Sequence, residues 1–260
     1  MADDDLILET RSGAVATVVL NRPERMNALN ESGWRRLREV MQGLSANESL
    51  RCVVVRGAGG TFAAGADIAE FERERATVEA ATRYGAIEYA GVMAVAECVH
   101  PTVALIEGAC VGGGLEIASA CDLRICGPSS RFGVPINRLG LTMSVPELAF
   151  FLRVVGRNAA LEILLEGQVF GADRAYDLGL VTRVVADEEV EAEAYRTADR
   201  VAAGAPLVNR WHKRFIRRMD DPAPLTPEEE AEGYAAFGTE DFRIGYRAFL
   251  ARRRPRFEGR

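Results

Sequence analysis

The chain is expected to adopt an α/β fold, on three grounds. Strand-like apolar runs alternate with stretches whose apolar residues recur at three-to-four spacing. Two glycine-rich strand-loop-helix passages repeat, one ending at Ala66 and the other at Glu116. From about Glu188 onward the pattern turns wholly helical. Alternation of this kind argues for largely buried strands crossed over by helices.

The elements follow in order. "LILET" and "AVATVVL" open as strands and are broken by "NRPERMNALN", where Asn21, Pro23 and Asn30 punctuate. A helix follows from Glu31 through "ESGWRRLREVMQGLSAN". "RCVVVRGAGGTFAAGAD" supplies a strand, a glycine-rich turn and a loop. A long helix is expected from about Arg75 to Val99, on the spacing of Ile87, Ala90, Ala94 and Val95. "PTVALIEGAC" returns as one strand, "LEIASACD" as a short helix and "LRICG" as another strand. The C-terminal helices run through "EEVEAEAYRTADRVAAGAP", a segment after Pro206, "TPEEEAEGYAAF" and "TEDFRIGYRAFLARRRP".

Bulk properties narrow the function. A chain of 260 residues and 28.3 kDa suits one large domain, or one with a small appendage, and buries roughly 70 to 75% of its unfolded surface. A net charge of -6 and pI near 5.2 argue against a general nucleic-acid binder. "MADDDLILET" is acidic and lacks the basic-then-apolar pattern of a secretory signal, and no run reaches the ~18 apolar residues that span a bilayer. A cytoplasmic protein with small-molecule partners is expected. Cys52, Cys98, Cys110, Cys121 and Cys126 form an odd set without a CxxC pair and suit small buried hydrophobes. His100 and His212 are too far apart for a helical metal motif, so no metal site is expected.

"GACVGGGLEIASACD", Gly108 to Asp122, concentrates the chemistry. A Walker phosphate loop needs lysine and a hydroxyl after its last glycine, where this chain has Leu115 and Glu116; a dinucleotide fingerprint begun at Gly112 needs glycine or alanine at Ile117. A first-turn carboxylate also repels phosphate while gaining from the helix dipole. Two readings remain. The glycines allow close packing beside a dipole-favoured acid, or backbone N–H groups at a glycine-rich helix start stabilise a developing oxyanion. In the second case each donor is worth roughly 3 to 4 kcal/mol.

"FAAGADI" (Phe62 to Ile68), followed by "PTVALIEGACVGGGLEIASACDLRI", closely resembles the enoyl-CoA hydratase/isomerase, or crotonase, superfamily. "NRPERMNALN", "RFGVPINRLGL", "GQVFGADRAYDLGLVTRVV" and "TEDFRIGYRAFLARRRPRFEG" extend the resemblance over nearly the whole chain in family order. It implies a spiral of ββα repeats over residues 1–195 and a helical C-terminal region over 196–260 that serves trimerisation and covers the site. It also implies trimers or dimers of trimers, and an acyl-CoA thioester as substrate with no separate cofactor. The thioester oxygen would sit between the amides of Ala66 and Gly113. Coenzyme A contacts map onto Met26, Ala28, Ala64, Asp67 and Ile68; Val111 and Gly112 flank the acyl chain, and Pro135 and Ile136 are carried over as substrate-facing positions. Glu116 matches the glutamate that activates water, and its apolar neighbours should make it resist ionisation.

The resemblance breaks at one chemically large point. Two-carboxylate hydratases carry a second acid directly after a proline, and here "VPINRLG" puts Ile136 there. The glycine-rich stretch that usually follows is replaced by "LTMSVPELAF". Glu116 alone then runs hydration or dehydration, or shuttles a proton in isomerisation or cleavage, or the site only stabilises the enolate left by decarboxylation; retention of Glu116 favours the first. Glu147 suits a dipole-favoured first-turn acid and also stands as a substitute acid. Arg138 suits a surface arginine or a partner for an anionic acyl group, Asn137 a turn or a pocket group, and His100 the end of the long helix. "RWHKRFIRR" and "ARRRPRFEGR" leave open a non-catalytic acyl-CoA- or RNA-binding homologue. Their spacing also suits a helix with Trp211, Phe215 and Met219 packed inward.

Overall fold

The computed structural model describes residues 5–260, so the first four residues of the acidic opening lie outside it. The elements begin with β1 (Ile7–Ser12), β2 (Val15–Leu20), α1 (Glu31–Ser45), β3 (Cys52–Gly57), the one-turn α2 (Phe71–Glu74) and α3 (Val78–Ala96). There follow β4 (Thr102–Ile106), β5 (Ala109–Val111), α4 (Gly113–Ala120), β6 (Leu123–Cys126), β7 (Arg131–Gly133), α5 (Val145–Glu166), β8 (Phe170–Gly171) and α6 (Ala172–Asp177). The chain ends with β9 (Arg183–Val184), α7 (Val190–Ala202), α8 (Pro206–Arg218), α9 (Pro227–Glu232) and α10 (Glu240–Leu250).

A six-stranded sheet has the order β1-β2-β3-β4-β6-β9, parallel except for the β1–β2 hairpin. A small sheet, β5-β7-β8, lies beside it. This is the expected mixed α/β fold. Strand alternation divides the core between the faces of the main sheet. Val53 and Val55 join α1, α3 and α4 on one face, whereas Cys52 and Val54 join α7 on the other. On α1, Trp34, Leu37, Met41 and Leu44 form a fully buried stripe, each side chain contributing about 1.5 to 3 kcal/mol. On α7, the small side chains of Ala194 and Ala198 let the helix lie close to Val54, Val103 and Leu105.

Several expectations need correction. "PTVALIEGAC" makes two strands in different sheets, because Gly108 takes φ 55 and breaks the extended run. The long helix starts at Val78, where the Thr77 side chain accepts from Ala80 N, and ends at Ala96. His100 therefore lies beyond the helix, fully buried. The helix after Pro146 continues to Glu166 through a kink at Gly156. The expected boundary at 195/196 falls within α7, whose Val190, Ala194 and Ala198 pack on the sheet. On α8, Trp211 and Phe215 are half-buried, but Met219 is exposed. The cysteines are buried thiols, and burial pushes Cys52, Cys121 and Cys126 up to about 12. No helix among the described residues is long and apolar enough to cross a membrane.

Candidate active site

Residues 61–67 thread between two neighbours and so bring the two glycine-rich passages together. On one side Leu29 N donates to Gly65 O at 2.8 Å and Asp67 N to Leu29 O at 2.8 Å. On the other, Ala63 N donates to Ala109 O at 2.9 Å and Val111 N to Ala63 O at 3.0 Å. Extended backbone turns successive amides to opposite sides, so the peptides around Ala66 that face Leu29 leave the Ala66 N–H directed away from it. Gly65 makes the approach feasible: at φ 97, a Cβ there would stand 2.9 Å from Gly113 N and 3.0 Å from Val111 O.

The second donor comes from a helix start. Gly112, at φ 54, ties its own N–H to Gly133 O at 2.9 Å and turns the chain into α4, which has no capping side chain. Gly113 is the first residue of that helix, so its amide is one of the donors a helix leaves unpaired. Among the described residues neither the Ala66 nor the Gly113 amide donates a hydrogen bond.

A pocket of about 140 Å³ opens here, lined by Ala64, Ala66, Ile68, Val111, Gly112, Gly113, Glu116, Pro135 and Ile136 together with Phe71, Arg75, Glu88, Leu139, Leu141, Thr142, Met143 and Glu147. Three of the residues expected at the site are set apart from this lining. Met26 is exposed, in a left-handed turn at φ 49, and its carbonyl accepts from Ala64 N at 2.9 Å. Ala28 O accepts from Arg22 at 2.8 Å, and the Asp67 carboxylate is held by Arg22 at 3.0 Å and by Ala69 N at 3.1 Å. Arg22 thus braces the rim, and Asp67 is spent on that bracing. Arg138 and Asn137 are exposed, and Asn137 donates to Leu165 O at 2.9 Å, which makes it a turn residue.

The pocket is rich in carboxylates. Glu116 opens partly to it, but its Oε2 is sealed and has no hydrogen-bond partner among the described residues. Burial, then the charges of Glu147 and Glu88, raise its pKa well above the ordinary carboxylate range. Glu147 takes the helix-start position expected of it, its Oε2 accepting from Ser144 N at 2.9 Å, and it also lines the pocket. Glu88 was not anticipated. It is 7% exposed on the inner face of α3, paired with Arg75 at 2.6 Å, and burial raises it to about 7 despite that arginine. The buried stripe runs through Tyr84, Glu88, Gly91, Val92 and Val95; of the residues whose spacing predicts the helix, Ala94 and Val95 are buried but Ile87 and Ala90 are only half-buried, one position off Glu88 and Gly91.

The enoyl-CoA hydratase/isomerase family model matches residues 10–260. A short-chain-enoyl-CoA hydratase of Clostridium acetobutylicum is 33% identical over 255 residues, covering 96% of each chain. A crotonyl-CoA hydratase of Syntrophomonas wolfei is 31% identical, with 99% of each covered. Among solved structures, an enoyl-CoA hydratase/carnithine racemase from Magnetospirillum magneticum is 50% identical with TM-score 0.97, covering 98% of this chain and 96% of that one.

Proposed function

The chain belongs to the enoyl-CoA hydratase/isomerase family, and from that premise we propose that it is a hydratase-type lyase working on an acyl-CoA thioester, with no cofactor beyond the coenzyme A of its substrate. One observation carries the reading: two undonated amides, Ala66 and Gly113, meet at a pocket into which Glu116 brings a carboxylate with an unpartnered oxygen. The amides hold the thioester oxygen as negative charge develops on it. Glu116 takes a proton from water as the water adds to C3, or returns one in the reverse direction. Burial raises its pKa above the ordinary carboxylate range, which makes its ionised form a stronger base toward water.

Isomerisation and decarboxylation on the same scaffold keep a place because Ile136, and no acid, lines the pocket at the position after Pro135. An RNA-binding role has less support. The basic residues of α8 are largely spent within the chain: Lys213 meets Asp122 at 2.8 Å, Arg214 pairs with Glu232, and Arg218 meets Glu229 at 2.5 Å. We also propose self-association, as a trimer or a dimer of trimers, because Tyr234, Phe237, Phe249 and Leu250 leave a C-terminal apolar surface exposed.

A panel of acyl-CoA thioesters followed by mass spectrometry tests the reaction class. Gain of the mass of water on an enoyl-CoA is the expected outcome. Loss of carbon dioxide from a malonyl-type thioester, with no hydration, points to decarboxylation instead. Absence of saturable acyl-CoA binding up to millimolar concentration removes the reading.

A further inference from the structure

Resting on the acyl-CoA reading above, we propose that Glu88, clamped by Arg75, is the second proton-exchanging carboxyl of the pocket and serves the α-carbon of the thioester while Glu116 serves water.

Place comes first. Glu88 and Glu116 line the same pocket of about 140 Å³, a space in which an acyl carbon has few neighbours. Glu88 Oε1 lies 3.2 Å from the point a Cβ on Gly113 would occupy, so this carboxyl borders the residue whose amide faces the thioester oxygen. The α-carbon is bonded to the thioester carbonyl carbon, and a group beside that donor is therefore near the α-carbon as well.

The anchoring leaves one oxygen available. Oε2 is taken by Arg75 at 2.6 Å, and Oε1 makes no hydrogen bond among the described residues. Arg75 is fixed in turn, its guanidinium 4.0 Å from the Tyr84 ring centroid and 4.6 Å from that of Phe71. Glu147, the other carboxyl near Glu116, likewise commits one oxygen, to the Ser144 amide, but Glu88 Oε1, and no atom of Glu147, is among the three atoms nearest a Cβ at Gly113, which makes Glu147 the weaker candidate. Glu88 also breaks an otherwise apolar inner stripe of α3, at a desolvation cost that a purely packed helix avoids. Burial holds it near half-protonation around neutral pH.

The step balances. The water oxygen bonds to C3, the C2–C3 π pair moves into an enolate held by the Ala66 and Gly113 amides, and the water proton goes to the Glu116 carboxylate. Protonated Glu88 then gives its proton to C2, forming the C2–H bond and leaving a carboxylate beside Arg75. Solvent exchange returns Glu88 to its acid form and Glu116 to its base form.

Exchange of α-hydrogens for deuterium in butyryl-CoA, a saturated thioester, isolates the C2 step because no water adds. Glu88→Gln should cut both this exchange and crotonyl-CoA hydration by about 100-fold or more with butyryl-CoA binding retained. Glu116→Gln should lose hydration and keep exchange. Wild-type exchange in Glu88→Gln overturns the assignment alone. Wild-type protein that neither binds nor hydrates any acyl-CoA overturns the underlying reading as well. Should Glu88→Gln fail to fold, Arg75→Met decides: with the cation gone, the titratable groups that face Glu88 among the described residues are Glu116 on α4, Glu147 on α5 and the Tyr84 hydroxyl. The acid limb of the exchange profile, where the Glu88 carboxylate that takes the α-proton is lost to protonation, should move to higher pH; an unmoved profile overturns the assignment.

Discussion

Glu88 and Glu193 are both glutamates paired with arginine, and they behave in opposite ways. Glu193, half-buried on α7 among arginines that reach into solvent, accepts from Arg200 at 2.8 Å and Arg196 at 2.9 Å and also pairs with Arg183. Those hydrogen bonds, Arg200's first, pull its carboxyl down to about 2. Glu88 has Arg75 at a shorter distance, 2.6 Å, yet its carboxyl rises to about 7 because burial outweighs the arginine and Glu147 adds like charge. An arginine partner by itself does not decide ionisation. The balance between desolvation and the surrounding charges does, and at Glu88 in the pocket that balance favours a group that exchanges protons near neutral pH.

The largest effect expected tests whether the pocket side of this contrast is chemical. Glu116→Gln keeps the shape and removes the proton exchange. Hydration should fall by about 100- to 10,000-fold with acyl-CoA binding near normal, measured as kcat beside a binding titration. A rate within a few-fold of wild type would reduce Glu116 to structure and move the search to Glu147.

Next in size is a change that leaves every carboxylate in place. Gly65→Ala puts a Cβ 2.9 Å from Gly113 N at a φ of 97, so the two passages must separate and the donors lose their common focus. Turnover should drop by roughly 100- to 1,000-fold, the effect of losing an oxyanion donor. Unchanged kcat with crotonyl-CoA would show that the amides do not hold the reacting oxygen.

Much of this contrast was legible in the sequence on one side only. The glycines of "FAAGADI" and "VGGGLE" marked two passages that come close together, and it was the family resemblance of those motifs that pointed to Ala66, Gly113 and Glu116. The α/β alternation was equally readable because each strand needed apolar residues on both faces. Glu88 was not found, because a helix's phase is ambiguous by one residue when alanines and glycines fill both candidate stripes; Gly85, Ala86, Ala90 and Gly91 do so here. Arg75 was placed inside a helix when it lies between two, and only the Thr77 cap shows where the second begins. Non-local pairing such as Arg75 with Glu88 depends on that placement.

The smallest effect belongs to Glu193 and sharpens the comparison through the sign of its pH dependence. Its folded pKa lies below the ordinary carboxylate value, so the folded state binds fewer protons than the unfolded state at acid pH. The stability it contributes is complete above the unfolded pKa of 4.5 and is lost as pH falls toward about 2. Glu88 runs the other way: its raised pKa means that stability falls as pH climbs from 4.5 toward about 7, where the folded protein must give up a proton it holds more tightly. Glu193→Gln should therefore cost less than about 1 kcal/mol at pH 7, because its arginine partners reach into solvent. That cost should shrink in urea unfolding series taken toward pH 3, with turnover untouched. A loss of several kcal/mol at neutral pH, or an equal loss at every pH, would mean that the α7 network is sealed from water as Glu88 is, and the two sites would then differ in their neighbours alone.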